Sequence, residues 1–333
     1  MSDAALPVRS WAPRIGPVNR RLILLLAGLL AVFGLMLGDR LFTGASLRSM
    51  AFQLPELGIL SLAMMVPLLS GGLDLSIIST ANLVALTVAF VFKSVVPADP
   101  GAAWVAWQIA AILAGLGLAV VIGAVNGLLI AYLEVSPILT TLGTMTLIKG
   151  ISIGLTHGEV LSSFPAPIVY IGNGSIARVP VVVLIFVAVA AVMALMLNRT
   201  PFGQTLHMLG SNEVATRYSG VDTRRMLVRV YVLSSLLAAI AGIVMMARFN
   251  SANAAYGESY LLVTILAAVL GGVSPSGGFG KVPGLVLALV ILQLISTAFN
   301  LLNFSQFLTL GIWGGTLIAV AAVARLRDVF GSS

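Results

Sequence analysis

The chain has 333 residues, of which 59% are hydrophobic and 9% are charged, whereas a soluble domain usually carries about 25% charged residues. This deficit excludes an ordinary water-soluble protein and predicts an all-α, polytopic membrane protein. The net charge of +7 does not indicate binding to nucleic acid, because cytoplasmic loops of membrane proteins are themselves rich in Lys and Arg.

Residues 1–20 contain three prolines and are predicted to form a cytoplasmic N-terminal arm. Arg20 and Arg21 lead directly into a long apolar run without an evident signal-peptide cleavage site, so the first helix is predicted to be retained. The rest of the chain is predicted to be a single membrane domain, 21–325, followed by a short cytoplasmic tail, 326–333.

The apolar segments are predicted to be transmembrane helices, because a crossing needs about 20 apolar residues and continuous runs favour helices over barrel strands. Lys and Arg are concentrated on the side that holds the N-terminus, so both termini are predicted to be cytoplasmic. About ten segments qualify, with the approximate bounds 21–38, 52–70, 75–92, 107–132, 138–156, 180–197, 227–248, 260–272, 283–299 and 306–324.

Two of these helices are predicted to begin beside a carboxylate, Asp74 at the third span and Glu258 at the eighth. An acid at a helix start is stabilised by the helix dipole and can cap the helix. The alternative is an ion or proton site, since ionisable groups within spans are often functional. The two starts face opposite sides in the predicted topology, which predicts an inverted repeat of 52–156 and 227–324.

Four polar side chains inside predicted spans are candidates to line a translocation path. Thr140 and Thr144 lie one turn apart on one helix face, whereas Asn126 and Gln293 occur singly in other spans. Buried polar side chains also form hydrogen bonds between helices, and the sequence leaves both alternatives open for these four residues.

The sequence shows no recognisable enzyme site. The glycine-rich stretch before Lys281 lacks the phosphate-loop pattern, because Val282 stands where that pattern requires Ser or Thr. His157 and His207 are the only histidines and are predicted on opposite sides of the membrane. There is no cysteine, so no metal centre is expected. We therefore expect neither enzyme activity nor an ATP-binding site on this chain.

The longest polar interruption, 199–229, separates two strongly apolar segments and contains five arginines but only one Glu and one Asp. With the N-terminus inside, this segment lies in the cytoplasm. Because the rest of the chain is too apolar for contact with water, we predict that a soluble partner binds here.

Four stretches resemble those of a known family: SGGLDLSIIS (70–79), NGLLIAYLEVSPILTTLGTMTLIKG (126–150), TPFGQTLHMLGSNEVATRYSGVDTRR (200–225) and LAAVLGGVSPSGGFGKVPG (266–284). In these residues and their order, the chain resembles the permease subunits of ribose-type ATP-binding-cassette (ABC) importers. The resemblance covers nearly the whole chain after the first predicted span, and the closely similar autoinducer-uptake permeases share the same motifs. It implies a fold like that of type II ABC importers.

The resemblance also implies the partners and the residues that contact one of them. The partners are ABC ATPase subunits that carry ATP and Mg, a substrate-binding protein, a second copy or homologue of the permease, and the lipid bilayer. No cofactor is expected on this chain itself. A short helix between the sixth and seventh spans is expected to fit a groove on the ATPase, through Gly210, Ser211, Asn212, Glu213, Ala215, Arg217, Ser219 and Gly220.

The expected function is import of a sugar or sugar-like solute, in the class of ribose, other pentoses, hexoses and sugar alcohols, across a bacterial inner membrane. An autoinducer-like furanosyl compound is the alternative solute. An ion-coupled secondary transporter is less favoured, because it needs ionisable relays inside the membrane, and nearly every acid of this chain is predicted at a helix end or in a loop.

Overall fold

The computed structural model describes residues 16–96 and 103–330 and is predominantly helical. The predicted arm 1–20 therefore lies largely, and the tail 326–333 partly, outside the described residues. The described part contains thirteen α-helices: α1 Pro17–Leu37, α2 Gly44–Leu69, α3 Ile77–Phe90, α4 Trp104–Tyr132, α5 Pro137–Thr156, α6 Ala166–Asn173, α7 Val181–Arg199, α8 Pro201–Ser211, α9 Glu213–Tyr218, α10 Thr223–Phe249, α11 Tyr260–Leu270, α12 Val282–Leu301 and α13 Gln306–Phe330.

Strands are confined to short connections in the described part. β1 pairs antiparallel with β4, and β2 pairs antiparallel with β3. Each strand has two residues, and their bounds are β1 Leu161–Ser162, β2 Ser175–Ile176, β3 Val179–Pro180 and β4 Ser251–Ala252. The predicted all-α class is confirmed.

Within the described residues, eight helical segments are long and apolar enough to cross a membrane: α1, α2, α4, α5, α7, α10, α12, and α3 together with its π-helical continuation, as Ile77–Ser94. The chain is therefore a multi-pass membrane protein, as predicted. The predicted span 260–272 corresponds to α11, which has 11 residues. The predicted span 306–324 lies in α13, whose apolar section is Phe307–Ala319. A total of ten crossings stays a prediction.

The centre of the bundle is formed by α2 and α10, which pack against each other. Every residue of α2 from Pro55 to Leu69 is buried, and α10 buries most of its C-terminal half. The outer helices α1, α4, α5 and α7 instead expose large apolar side chains, among them Leu35 and Leu155. Such apolar exposure is what lipid contact requires, because lipid tails are as apolar as leucine.

Small residues bring the central helices close together. A Cβ atom on Gly242 of α10 would overlap the main chain of Ala81 in α3, and one on Gly123 of α4 would lie 2.6 Å from the carbonyl oxygen of Tyr231. Close helix approach at glycine is a common means of association in membranes, where lipid removes the hydrophobic driving force. The helices around α10 are thus held in fixed positions.

The bundle has two ends, named here by the chain segments found at them. The loop end carries residues 199–222, called the α7–α10 segment. Leu69, the last residue of α2, also lies there, because Gly210 packs against its carbonyl oxygen. The far end is the opposite one, where β1 after α5 pairs with β4 after α10.

The two short helices α3 and α11 start at opposite ends of the bundle. α3 begins at the loop end with Ile77, directly after the turn that leaves α2. α11 begins at the far end with Tyr260, after α10 has crossed the bundle. These opposed starts agree with the predicted topology of the third and eighth spans, while the inverted repeat of 52–156 and 227–324 stays a prediction.

Candidate functional site

The α7–α10 segment is folded into two short helices rather than an open loop. Thr200 is extended, as expected before Pro201, which occupies the first turn of α8. Asn212 separates α8 from α9 and caps α9, because its Oδ1 accepts a hydrogen bond from the backbone N–H of Ala215 at 2.9 Å. Gly220 follows α9 with φ of 83°, a left-handed conformation that favours glycine.

The start of α10 is capped by Asp222, whose Oδ1 accepts a hydrogen bond from the backbone N–H of Arg225 at 3.0 Å. α10 begins at Thr223, so the last residues of the polar interruption 199–229 belong to the central helix. A displacement of α9 therefore acts almost directly on α10.

Backbone contacts attach α8 to the loop end of the bundle. Gly210 packs against the carbonyl oxygen of Leu69 and the backbone nitrogen of Gly278. Gly278 in turn donates its N–H to the Leu69 carbonyl at 2.9 Å, and Nδ1 of His207 donates to the Gly278 carbonyl at 2.9 Å. The α7–α10 segment, the end of α2 and the α11–α12 connection therefore meet at one point.

One face of α9 carries largely exposed side chains that also border an open cavity beside the bundle. Val214 is 64% exposed and Tyr218 is 89% exposed. They are four residues apart and so lie on one helix face, with exposed Arg217 beside them. Exposed apolar and aromatic side chains beside an arginine are typical of a protein-binding surface. The sequence interpretation named Arg217 but missed Val214 and Tyr218.

A cavity of about 660 Å³ lies between α9 and the turns 70–72 and 134–137. Its rim includes Glu213 and Arg217 from α9, and on the bundle side Nη2 of Arg224 lies 3.3 Å from Oε1 of Glu134. Both partners of this ion pair are exposed, so the pair contributes little to stability. The cavity leaves α9 accessible from more than one side.

Asp74 is fully buried in the turn before α3. Its Oδ1 accepts hydrogen bonds from the backbone N–H of Ser76 at 3.0 Å and from the Ser76 hydroxyl at 2.6 Å. Its Oδ2 accepts from the hydroxyl of Ser234 at 2.8 Å. A buried carboxylate is tolerated only when it is well hydrogen-bonded, and these bonds connect the start of α3 to α10.

The polar network around Asp74 includes two of the candidate path residues. Nδ2 of Asn126 donates to the Ser76 hydroxyl at 3.0 Å, and the Thr144 hydroxyl donates to Oδ1 of Asn126 at 2.6 Å. Both polar atoms of the Asn126 amide are thus used in contacts between helices. Thr140 is buried, and its hydroxyl has no partner within residues 16–96 and 103–330.

Gln293 lies apart from this network. Its Nε2 donates to Oε1 of Gln53 in α2 at 3.3 Å and to the Thr297 hydroxyl at 3.4 Å. The structure therefore brings Asn126 and Thr144 together around Asp74 and places Gln293 in a different region, between α2 and α12.

We expect Asp74→Ala to lower the free energy of unfolding by about 3 kcal/mol or more, because bonds to a charged acceptor contribute about 1.5–3 kcal/mol each. Asp74→Asn keeps an acceptor oxygen and should cost less. The loss of stability is measured by thermal unfolding of the detergent-purified variants, followed by tryptophan fluorescence. Asp39→Ala, which removes an exposed acid, is the control. Equal transition temperatures for Asp74→Ala and Asp39→Ala would contradict the assigned role.

The second helix-start carboxylate, Glu258, has a different environment. Its Oε1 lies 2.7 Å from Nζ of Lys149 in α5, and both side chains are about half exposed. The N-cap residue of α11 is Ser259, which forms no side-chain cap bond. The Glu258 side chain thus connects α5 to the start of α11 at the far end.

Comparison with known proteins identifies the family. Residues 46–321 match the family described as branched-chain amino acid transport system / permease component. The chain belongs to this family of transport permeases. No solved structure shows significant similarity to it.

Three named relatives show which kinds of transport permease this chain resembles. The permease is 33% identical to the ribose import permease protein RbsC of Escherichia coli K12, over 92% of this chain and 94% of that protein. It is 32% identical to the L-arabinose transport system permease protein AraH of the same strain, over 86% and 84%. It is 30% identical to the autoinducer 2 import system permease protein LsrD of Photorhabdus temperata, over 81% and 79%. The resemblance stated from the sequence motifs is confirmed.

The permease also contains a buried ion pair that the sequence interpretation missed. Glu56 of α2 is 1% exposed. Its Oε1 lies 2.6 Å from Nη1 of Arg248 in an ion pair, and it accepts a hydrogen bond from the hydroxyl of Tyr260 at 2.8 Å. Glu56 is the exception to the prediction that nearly every acid lies at a helix end or in a loop, because α2 begins at Gly44 and the carboxylate lies well inside the helix.

Proposed function

We propose that the permease is the membrane-spanning subunit of an ATP-driven importer for a sugar or sugar-like solute. The proposed solute class is a pentose, hexose or sugar alcohol. The support is the similarity to permeases named for ribose and arabinose, of which the ribose permease aligns over 92% of this chain. The autoinducer 2 permease aligns over 81%, so the sugar class is preferred.

The partner ATPase is proposed to dock on α9. The observation that carries this proposal is the exposed face formed by Val214 and Tyr218, beside Arg217, on a helix that is otherwise attached to the bundle. Aromatic and arginine side chains contribute most to protein–protein affinity. ATP and Mg belong to that partner, and this chain supplies the surface that senses its closure.

The path of the coupling follows from the contacts of α8 and α10. A shift of α9 moves α10 through the short 219–222 connection, and it moves α2 and the α11–α12 connection through Gly210. Rigid helices packed through glycine move as units, because packed interfaces shift between arrangements rather than deform continuously. We propose that this relative motion opens and closes the path between the far end and the loop end.

The proposed orientation places the loop end in the cytoplasm and the far end outside the inner membrane of a bacterium. The substrate-binding protein would then dock on the far end, which carries the 157–180 connection and β4. A second copy of the permease, or a homologue, completes the pore in this proposal. We also propose that the chain is organised into an N-terminal arm, one membrane domain at 21–325 and a C-terminal tail.

We expect Tyr218→Ala to weaken binding of the cognate ATPase subunit by tenfold or more, since removal of an interface hot spot costs about 2 kcal/mol or more. Binding is measured with detergent-purified proteins, and ATP-dependent uptake of radiolabelled ribose and arabinose is measured in proteoliposomes that also contain the binding protein. Tyr170→Ala, which removes an exposed tyrosine at the far end, is the matched control.

Two outcomes would refute the proposal. If the Tyr218→Ala variant binds the ATPase as tightly as the wild type, the docking surface is wrong. If the complete wild-type complex takes up none of a panel of pentoses, hexoses and sugar alcohols in the presence of ATP, the proposed solute class is wrong.

A further inference from the structure

Two neighbouring cavities open between α2 and α12 in the half of the bundle nearest the far end. The outer cavity has a volume of about 300 Å³, and its lining is mostly polar. It lies at the far end because the α1–α2 connection and the C-terminal end of α12 both contribute to it. Its polar lining includes Arg40, Thr43, Ser46, Ser49, Thr297 and Asn300.

The second cavity, called the inner one here, has a volume of about 170 Å³ and lies beside the outer one, between α2, α11, α12 and α13. Gln53 and Ser296 line both cavities, so these side chains form the boundary between them. The inner lining combines amide and hydroxyl groups with the rings of Tyr260 and Trp313. Apolar and aromatic walls with a few placed polar groups are typical of small-molecule sites.

Gln293, which lines the inner cavity only, has an unused acceptor. Its side chain is 5% exposed, and both of its hydrogen bonds, to Gln53 and Thr297, are donated from Nε2. No donor within the described residues bonds Oε1 of Gln293. The oxygen is not itself a buried orphan, because Gln293 lines the cavity, so its acceptor capacity is available to a solute hydroxyl there. Asn126 differs, because both polar atoms of its amide are already bonded.

The aromatic wall of the inner cavity is held in place by the buried ion pair. The hydroxyl of Tyr260 donates to Oε1 of Glu56 at 2.8 Å, and Glu56 is paired with Arg248. The tyrosine therefore presents its ring to the cavity while its polar end is satisfied elsewhere. This arrangement gives an otherwise unexplained buried charge a positioning role in a polar cavity.

We propose that the two cavities form the access path for a monosaccharide from the far end, and that Gln293 contacts the solute in the inner cavity. Sugars carry hydroxyl groups on an apolar ring, so they suit a lining of amides and hydroxyls that faces aromatic rings. This inference rests on the proposed function, and it places the solute path between α2, α12 and α13 rather than at Asn126 and Thr144.

Uptake measurements test the role of Gln293. In proteoliposomes that contain the permease, its ATPase and its binding protein, we expect Gln293→Leu to lower uptake of radiolabelled ribose or arabinose about tenfold, equivalent to about 1.4 kcal/mol. ATP hydrolysis stimulated by the binding protein should change less than about twofold, because the α7–α10 segment is untouched. Gln108→Leu removes a buried glutamine of α4 that lines neither cavity and is the matched control.

The outcomes separate this inference from the function on which it rests. If wild-type complexes transport a sugar and Gln293→Leu does so equally well, the path assignment is overturned while the proposed function stands. If wild-type complexes transport no sugar of the panel, the proposed function fails, and the inference falls with it. Loss of uptake in Gln108→Leu as well as in Gln293→Leu would show a general effect of glutamine removal and would overturn the specific role.

Thiol labelling gives an independent test, because the chain contains no cysteine. In membrane vesicles, Ser296→Cys should react with a small water-soluble methanethiosulfonate at least about tenfold faster than Ser61→Cys, a rate ratio that corresponds to about 1.4 kcal/mol. Ser61 is fully buried in α2 and hydrogen-bonded to Leu57. Equal reaction rates at the two positions would show that water does not reach the boundary and would overturn the proposal.

Discussion

Gly210→Val is expected to abolish ATP-dependent uptake by the assembled importer. Any Cβ atom at this position would overlap the carbonyl oxygen of Leu69 and the backbone nitrogen of Gly278. Neither group can move as a flexible side chain does, because each is main chain held by a hydrogen bond between the two. The valine must therefore push α8 away from the bundle and break the contact that joins it to α2.

Two losses, one of a hydrogen bond and one of helix contact, determine the size of this effect. Accommodating the side chain costs the Gly278–Leu69 hydrogen bond or its equivalent, about 1–3 kcal/mol for buried groups left unpaired. It also separates α8, which precedes the proposed docking helix α9, from α2, and this is expected to remove coupling even if the fold survives. We expect Gly210→Ala to show the same defect in weaker form, since its single methyl group meets the same atoms.

Gly154→Val is the matched control for Gly210→Val. Gly154 is also a helical glycine, in α5, but a Cβ atom there meets nothing within 4 Å. Uptake in proteoliposomes, ATPase binding and thermal unfolding should be measured for both variants. Uptake by Gly210→Val at the level of Gly154→Val would contradict the coupling path through α8.

Glu56→Leu is expected to lower the free energy of unfolding by about 3–5 kcal/mol, the usual cost of removing one partner from a buried ion pair. The variant leaves the guanidinium of Arg248, whose side chain is 19% exposed, without a counter-charge. It also leaves the hydroxyl of Tyr260 without its acceptor. Thermal unfolding in detergent and the amount of protein inserted in the membrane both report the loss.

A double variant distinguishes a lost ion pair from a packing defect. Replacing both partners, with Glu56→Leu and Arg248→Leu together, should recover much of the stability, because apolar replacement of a whole buried pair is often neutral. The exposed pair of Lys149 and Glu258 is the control, and Glu258→Gln should cost below about 1 kcal/mol. A double variant no more stable than Glu56→Leu alone would refute the ion-pair explanation.

Much of the fold was predictable because apolar runs of helical length are a local property of the chain. The boundaries of α4 and α5 lie within a few residues of the predicted spans. α2 was placed too late, since residues 44–51 contain Arg48 and two serines and are less apolar, although they continue the same helix. The helices of the α7–α10 segment had recognisable signals in Pro201 and Asn212 that a search for spans ignores.

The candidate site was less predictable because it depends on which helices become neighbours. The glycine motifs near 71 and 278 were evident in the sequence, yet only the packed structure shows both beside Gly210. Glu56 was visible as a lone carboxylate in an apolar span, a pattern that indicates function by default. Its pairing with Arg248 connects residues far apart in sequence, and no local pattern reports such a contact.

The junction of α8 with the bundle consists largely of main-chain atoms, from Gly210, Leu69 and Gly278. Main-chain atoms have no rotamers, so a small displacement on one side cannot be absorbed by a side chain that swings aside. Under the proposed coupling, such a joint would pass a displacement of α8 to α2 with little loss. Substitutions of the surrounding side chains are therefore expected to change uptake less than substitutions of these glycines.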